Sequence, residues 1–324
     1  MIDRNEIERP VSEVFKHFKD EFGLTLHSEI RTVQSAVEAI RRSNGKHIRP
    51  LLLLLTAEAC GRANTDSVQT AIYLELLHTA SLIHDDVVDE TKQRRGLPSL
   101  NALYNNRIAV LVGDFVFADV MTRVMRMGHE QVYHIMAMLC HDMVEGEIKQ
   151  LENANESILT EKDYFLAVEK KTATLLASCT EIGAITAHAP EEMQRKCKEF
   201  GKLLGYCFQI KDDIFDYFED ARTGKPSGND LREGKVTLPL LYALETASAT
   251  EKAPYLDMLQ EKKITSANIS ALLRFAKDKG GIEYAETRML KYKAMAVEII
   301  RSLPASAARD SLLLLADYLV ERDK

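Results

Sequence analysis

Apolar residues recur at helical spacing along most of the chain, and no run alternates apolar and polar residues for long enough to read as a strand. Only 15 glycines interrupt 324 residues, so few positions ask for turns that break a helix. The pattern predicts an all-α fold built as a helical bundle. Two segments, Ala71 to Ile83 and Phe200 to Ile210, are too apolar for helices with one face in water and read as core helices. Thr160 followed by Asp163 is a helix-start signal, a hydroxyl at the cap with an acid three residues on. Loops are expected near residues 91–106, 153–160, 218–234 and 246–253. The apolar runs Leu51 to Leu55 and Leu312 to Leu315 fall well short of the ~20 residues needed to span a bilayer, so no transmembrane segment is expected.

Both core helices run into the same acidic pattern. Asp85-Asp86-Val87-Val88-Asp89 follows the first and Asp212-Asp213-Ile214-Phe215-Asp216 the second. On a helix the first and last aspartates of DDxxD share a face, and the second is turned about 100° from the first but stays on the same rim. One such motif alone would read as a solvated acidic face or a complement to a helix dipole. The apolar flanks oppose that reading, because carboxylates at the ends of buried helices need cations beside them. Hard oxygen ligands that leave room for water and phosphate suit Mg²⁺. Two facing motifs therefore predict metal ions clamping a phosphorylated substrate from both sides.

Basic residues follow each motif at short range: Arg94-Arg95-Gly96 after the first, and Lys225, Arg232 and Lys235 after the second. Any one of them could simply neutralise an aspartate or lie solvated on a loop. Repetition of acid then base at two distant places favours diphosphate, which is held by metal on carboxylates and by Arg and Lys on the remaining oxygens. A unit-charge pair at about 4 Å is worth roughly 4 kcal/mol at an effective dielectric near 20. Several such contacts would stabilise a departing diphosphate enough to matter catalytically. The sequence offers no Ser-His-Asp order, no Cys-His pairing and no GxxxxGK loop that would suggest other chemistry.

With these motifs in place the chain resembles the trans-prenyltransferases, the all-trans polyprenyl diphosphate synthases of the octaprenyl and heptaprenyl kind. The likeness covers nearly the whole length. Beyond the acidic motifs it includes Gln209 before the second, Gly224-Lys225-Pro226, and Gly234-Lys235-Val236-Thr237-Leu238-Pro239. An earlier family motif, Gly-Gly-Lys-Arg-x-Arg-Pro, is similar to Asn44-Gly45-Lys46-His47-Ile48-Arg49-Pro50, with Asn44 and His47 departing from it. The resemblance implies helices packed around a central cavity, with the acidic motifs facing across its mouth, and a homodimer.

It also implies roles. Lys46, Arg49, His78 and Arg95 would bind isopentenyl diphosphate. Asp85, Asp89 and Asp212 would ligate Mg²⁺, two or three ions with Mn²⁺ as a substitute, while Asp86, Asp213 and Asp216 complete the acidic rims. Arg94, Lys171, Thr172, Gln209, Lys225 and Lys235 would contact the allylic prenyl diphosphate. His78 stands seven residues before Asp85, two helical turns along one face. Ionising the allylic substrate creates a carbocation and a charged leaving group together; the isopentenyl double bond attacks, a proton is lost, and the departing diphosphate can take it. No side-chain nucleophile is needed.

Ala80 and Ser81 lie one turn before Asp85, where short-product relatives tend to carry a bulky aromatic. Small residues there leave a tunnel open. Ala80-Ser81 therefore resembles the long-chain class, which implies a product of roughly thirty carbons or more; burial of each added CH₂ is worth about 0.8 kcal/mol, so an apolar tunnel pulls elongation forward until something blocks it. Candidate floor residues are Ile135 to Cys140, Phe115 and Met121. A twenty-carbon geranylgeranyl diphosphate synthase is the nearest alternative. A class I terpene cyclase is disfavoured by the complete second DDxxD, and a non-catalytic partner subunit by the retention of every aspartate and of the arginine pair.

Composition supports a soluble enzyme. With 46% hydrophobic residues and a net charge of −7, the chain can bury a large core and has no basic footprint for nucleic acid. Motifs from residue 46 to residue 239 must converge on one cleft with no linker between them, so residues 1–324 are expected to form a single domain. Five cysteines without CxxC spacing, and a charged start lacking a signal-peptide hydrophobic region, lead to the expectation of a cytoplasmic protein.

Overall fold

The computed structural model describes residues 3–42, 45–94, 96–153, 160–219, 227–260 and 264–322. The described chain is almost wholly helical, as the periodicity predicts. Four helices form its centre: Ile48–Cys60, Thr65–Val88, Thr174–Thr186 and Glu191–Asp216. Thr174–Thr186 packs on both Ile48–Cys60 and Glu191–Asp216, while Thr65–Val88 packs on Ile48–Cys60 and on the flanking helix Asn106–Arg126. Leu51 to Leu55 are all fully buried because helices surround Ile48–Cys60 on several sides. One cluster of buried apolar side chains runs from Ile7 to Val320.

Local signals explain several helix starts. Thr160 accepts from Asp163 N while Asp163 accepts from Thr160 N, the predicted capping box. Asn64 caps Thr65–Val88 in the same reciprocal way with Ser67. The loop expected at 246–253 shrinks to Ala247 and Ser248, because Ser248 and Glu251 form another capping box and start the helix Ala249–Leu259. Within 91–106 the chain makes a small hairpin, Gln93–Arg94 against Leu97–Pro98, then the short helix Leu100–Leu103. Two-residue strands are too short to leave an alternating pattern. Within 218–234, Asn229–Arg232 is helical; residues 220–226 and 154–159 lie outside the described residues.

A π-helical turn, Glu169–Ala173, interrupts the path from Glu161–Val168 into Thr174–Thr186. Two glycines admit it. A Cβ on Gly146, from the helix Glu130–Asn153, would stand 2.6 Å from Lys171 N, and one on Gly205 would stand 2.4 Å from Ala173 Cα. Glu169 anchors its start by accepting from Lys202 Nζ and Tyr206 Oη, both at 2.6 Å. Such wide turns recur at functional sites because they re-aim side chains that a regular helix would direct elsewhere. Here the side chains brought to the cavity are Lys171 and Thr172.

The five cysteines are free thiols, with Cys60 and Cys197 sulfurs 3.4 Å apart. Among the described residues no helix is long and apolar enough to cross a membrane.

Candidate active site

A cavity of ≈ 450 Å³ opens beside the end of Thr65–Val88. His78, Ser81, Leu82 and Asp85 line it from that helix at spacings of three, four and seven residues, so one face is presented. Arg49, His84, Glu147, Lys171, Thr172 and Gln209 supply the remaining polar wall. Met143, Val144, Ile148, Leu151, Leu175 and Phe208 supply apolar surface. Charge at one side and hydrocarbon at the other suit a substrate with a phosphorylated head and an apolar tail.

The second aspartate of each motif points away from this cavity. Asp86 is buried and accepts from Arg94 Nε at 2.8 Å. Asp213 is buried and accepts from Tyr164 Oη at 2.6 Å and Gln209 Nε2 at 2.8 Å. Gln209 in turn accepts from Thr172 Oγ1 at 2.9 Å, tying the second motif to the π turn. Asp216 is taken up by the chain that follows: Asn229 N and Asp230 N each donate to it at 3.0 Å. Lys235 stands between the motifs, 3.7 Å from Asp89 and 2.6 Å from Glu233, and lines a second cavity of ≈ 170 Å³ with Lys171, Thr172, Gln209 and Asp213.

Burial shapes the electrostatics. It pushes the Asp85 carboxyl up to about 6, opposed by Lys171 and reinforced by Glu147 and Asp89. Asp213 is pushed up to about 7 by burial against the hydrogen bonds it accepts. Asp212 is also raised by burial, opposed by an ion pair with Arg322 and by the fields of Arg49 and Lys46. For Lys235 burial works against the ammonium, yet Glu233, Asp89 and Asp230 outweigh it and the group is raised. The mouth is thus a set of carboxylates whose charge is countered by lysines and arginines.

Two contributors carry no motif signal. Glu147 pairs with Lys171 and keeps its other oxygen buried without a hydrogen-bond partner. Arg322, near the end of the described chain, pairs with Asp212 and stacks over Phe208 with its guanidinium carbon 4.3 Å from the ring centroid. A basic residue close to the chain end was the one available clue, and it is a weak one.

The structure distributes the other sequence-predicted residues as follows. Lys46 is exposed and Arg49 half-buried at the same mouth, near enough to act on Asp212. Arg94 lines a smaller cleft of ≈ 80 Å³ with Gly45, His47, His78 and Asp86, apart from Lys171, Thr172 and Gln209. Arg95 and Lys225 lie outside the described residues. Ser81 lines the large cavity, whereas Ala80 is buried in the core. Of the floor candidates, Met136 is fully buried and Ile135, Cys140 and Phe115 pack against the core; Met143, one turn further along, lines the cavity.

The donor set fits a divalent cation of the hard kind. Asp85, Asp89 and Asp212 offer oxygens only. Among the described residues, the one trio of His, Cys, Asp or Glu ligand atoms within 4.8 Å of one another is His141, Asp142 and Glu145, where the Lys170 ammonium already bridges the two acids. The motif aspartates stand further apart and would leave coordination positions for water and phosphate, the arrangement Mg²⁺ favours.

An almost wholly helical fold with an acidic motif at the end of each of two core helices, beside a cavity with apolar lining, defines the isoprenoid synthase class. The family model described as polyprenyl synthetase matches residues 30–275, and the chain belongs to that family. It is 34% identical over 299 residues to an octaprenyl diphosphate synthase from Haemophilus influenzae, covering 92% of this chain and 91% of that one. A geranylgeranyl pyrophosphate synthase from Bacteroides thetaiotaomicron superposes with a TM-score of 0.85 at 36% identity, over 98% of this chain and 99% of that one. A polyprenyl synthase from Caulobacter crescentus, solved with calcium and isoprenyl diphosphate, gives a TM-score of 0.90 at 28% identity over 99% and 98%. The protein is a prenyltransferase that elongates prenyl diphosphates.

Proposed function

We propose that the chain joins isopentenyl diphosphate head to tail onto an allylic prenyl diphosphate, dependent on Mg²⁺, and releases a long all-trans product of roughly thirty carbons or more, since each CH₂ taken into an apolar lining favours further elongation. The observation that carries this is the ≈ 450 Å³ cavity with Asp85, Lys171 and Gln209 at its polar wall and Ser81, Met143, Ile148 and Leu175 along its lining. Asp85, Asp89 and Asp212 would hold the metal, which when bound neutralises the diphosphate and eases its departure. Lys171, Thr172, Gln209, Lys225 and Lys235 orient the allylic diphosphate. Its C–O bond breaks with the electron pair leaving on the diphosphate. The isopentenyl double bond supplies the electrons of the new C–C bond, and the proton lost passes to the departing diphosphate. Lys46, Arg49, His78 and Arg95 hold isopentenyl diphosphate, and Arg94, paired with Asp86 and near enough to act on Asp85, contacts the allylic diphosphate.

A twenty-carbon product is the second reading, favoured by the 36% identity to a geranylgeranyl pyrophosphate synthase. Incubation with Mg²⁺, labelled isopentenyl diphosphate and ten-, fifteen- or twenty-carbon primers, followed by chromatography of the dephosphorylated products, separates the two. A stop at twenty carbons would overturn the long-chain reading. Absence of product from every primer would overturn the elongation assignment itself.

A single domain is supported by the large apolar cluster that draws on helices from Ile7 to Val320, with a small satellite cluster around Ile83 and Val112 beside it. A homodimer is supported by apolar side chains left in water on Asn106–Arg126 and Glu130–Asn153 outside the cavity, among them Leu111, Phe117, Met125 and Met138. Light scattering of the purified protein tests it. A cytoplasmic location is proposed from the sequence, where five cysteines show no CxxC spacing.

A further inference from the structure

Position 47 is one of two places where this chain departs from its family's basic motif, and a buried carboxylate faces it. His47 adopts a left-handed backbone, φ 45°, which few non-glycine residues take and which histidine takes more readily than most. Its Nδ1 lies 3.0 Å from Glu75 Oε1, in a pair only 12% and 6% exposed. Phe18 and Phe22 close the imidazole in, their ring centroids 5.5 and 5.3 Å away. Glu75 sits within the core helix Thr65–Val88, three residues before His78, and its second oxygen is buried with no hydrogen-bond partner. A carboxylate so placed is costly unless a donor or cation answers it. Arg49 shares the neighbourhood: the Cys179 thiol, pushed up to about 12 by burial, feels Arg49 and Glu75 with opposite sign.

We propose that His47 and Glu75 are a positioning pair for the isopentenyl diphosphate site, fixing the turn through Gly45 to Ile48 so that Lys46 and Arg49 are aimed at the homoallylic diphosphate. This rests on the reading that Lys46 and Arg49 bind that diphosphate. The geometry links the two claims. Lys46 precedes His47 in the turn, Arg49 follows it by two residues, and both act on Asp212 at the cavity mouth. Freed from Glu75, a non-glycine residue at positive φ would relax toward commoner backbone conformations and carry Lys46 with it. An arginine at position 47, as in the family motif, could also donate to Glu75, so the pair is the form this chain gives to a basic residue on a buried acid.

The test is steady-state kinetics with each substrate varied in turn for His47→Ala, Glu75→Gln, His47→Arg and Lys46→Ala. His47→Ala and Glu75→Gln should each raise KM for isopentenyl diphosphate about tenfold, the scale of one charge-assisted hydrogen bond. KM for the allylic primer and kcat should stay within about twofold. His47→Arg should restore most of the loss. If both KM values rise together, or His47→Ala changes neither while Lys46→Ala weakens isopentenyl diphosphate, the positioning role is overturned. An unchanged KM in Lys46→Ala overturns the diphosphate assignment beneath it. Should Glu75→Gln fail to fold, His47→Ala and its arginine rescue decide the matter.

Discussion

Asp85 is a carboxyl that the fold makes expensive to ionise. Burial pushes it up to about 6, above its ordinary 3.8, with Glu147 and Asp89 adding to the effect against Lys171. A carboxyl raised on folding costs nothing below the unfolded pKa, costs more as pH climbs from about 4 to about 6, and imposes its full penalty above that. Asp85→Asn should therefore stabilise the metal-free protein by about 1–2 kcal/mol at pH 8 and leave it nearly unchanged at pH 4, read by denaturant unfolding at the two pH values. The same charge is needed for activity. Asp85→Ala and Asp212→Ala should each lower kcat by about two orders of magnitude or more with the far-ultraviolet circular dichroism intact, as expected when a group that stabilises developing charge is lost. Retention of turnover in both would remove the metal clamp. At this scale the aspartates were legible because DDxxD repeats and helical spacing gives each copy one face. Arg322 was not, since it meets Asp212 across 110 residues of sequence and nothing local marks it. Nor was the division of labour within each motif, where Asp86, Asp213 and Asp216 are taken up by Arg94, by Tyr164 and Gln209, and by the Asn229 and Asp230 amides.

Between residue and molecule, the π turn at Glu169–Ala173 is the element on which the site depends. It presents adjacent residues, Lys171 and Thr172, to the same two cavities, although neighbours on a regular helix diverge by about 100°. Gly205 keeps the second-motif helix close enough to support it. Gly205→Ala would drive a methyl toward Ala173 Cα at 2.4 Å, and backbone on both sides leaves little to yield. We expect a loss of about 1–3 kcal/mol, the usual cost of overpacking, together with a rise in KM for the allylic primer as Lys171 and Thr172 shift. Thermal unfolding and primer-dependent kinetics measure the two effects. If stability falls while KM holds, the turn is scaffolding only. Helix starts such as Thr160 were legible because a cap is a local event between residues three apart. The π turn was not, because Glu169 to Ala173 reads like ordinary helix, and what widens it is glycine on two other helices.

Across the whole molecule, the proposed elongation would end where the cavity stops, and the structure separates two residues that the sequence treats alike. Ala80 and Ser81 both precede Asp85 by about one turn, yet Ala80 is packed at 2% exposure into the core while Ser81 faces the cavity, its hydroxyl turned back to His78 O at 2.8 Å. Spacing alone could not assign which of two adjacent positions looks inward, because that depends on the helix Asn106–Arg126 packed against the far side. The consequence is a difference in kind between two aromatic substitutions. Ser81→Phe adds its ring to open space opposite Met143 and Leu175, so it should shorten the product by one or more five-carbon units with kcat for the first condensation largely kept. Ala80→Phe must instead displace packed neighbours, and should lower stability by about 1–3 kcal/mol. Chromatography of the dephosphorylated products, beside the melting temperature of each variant, reads both. A Ser81→Phe product of wild-type length would mean that the hydrocarbon leaves the acidic motifs by another path. The ≈ 170 Å³ cavity under Lys235 would then be the next place to look for it.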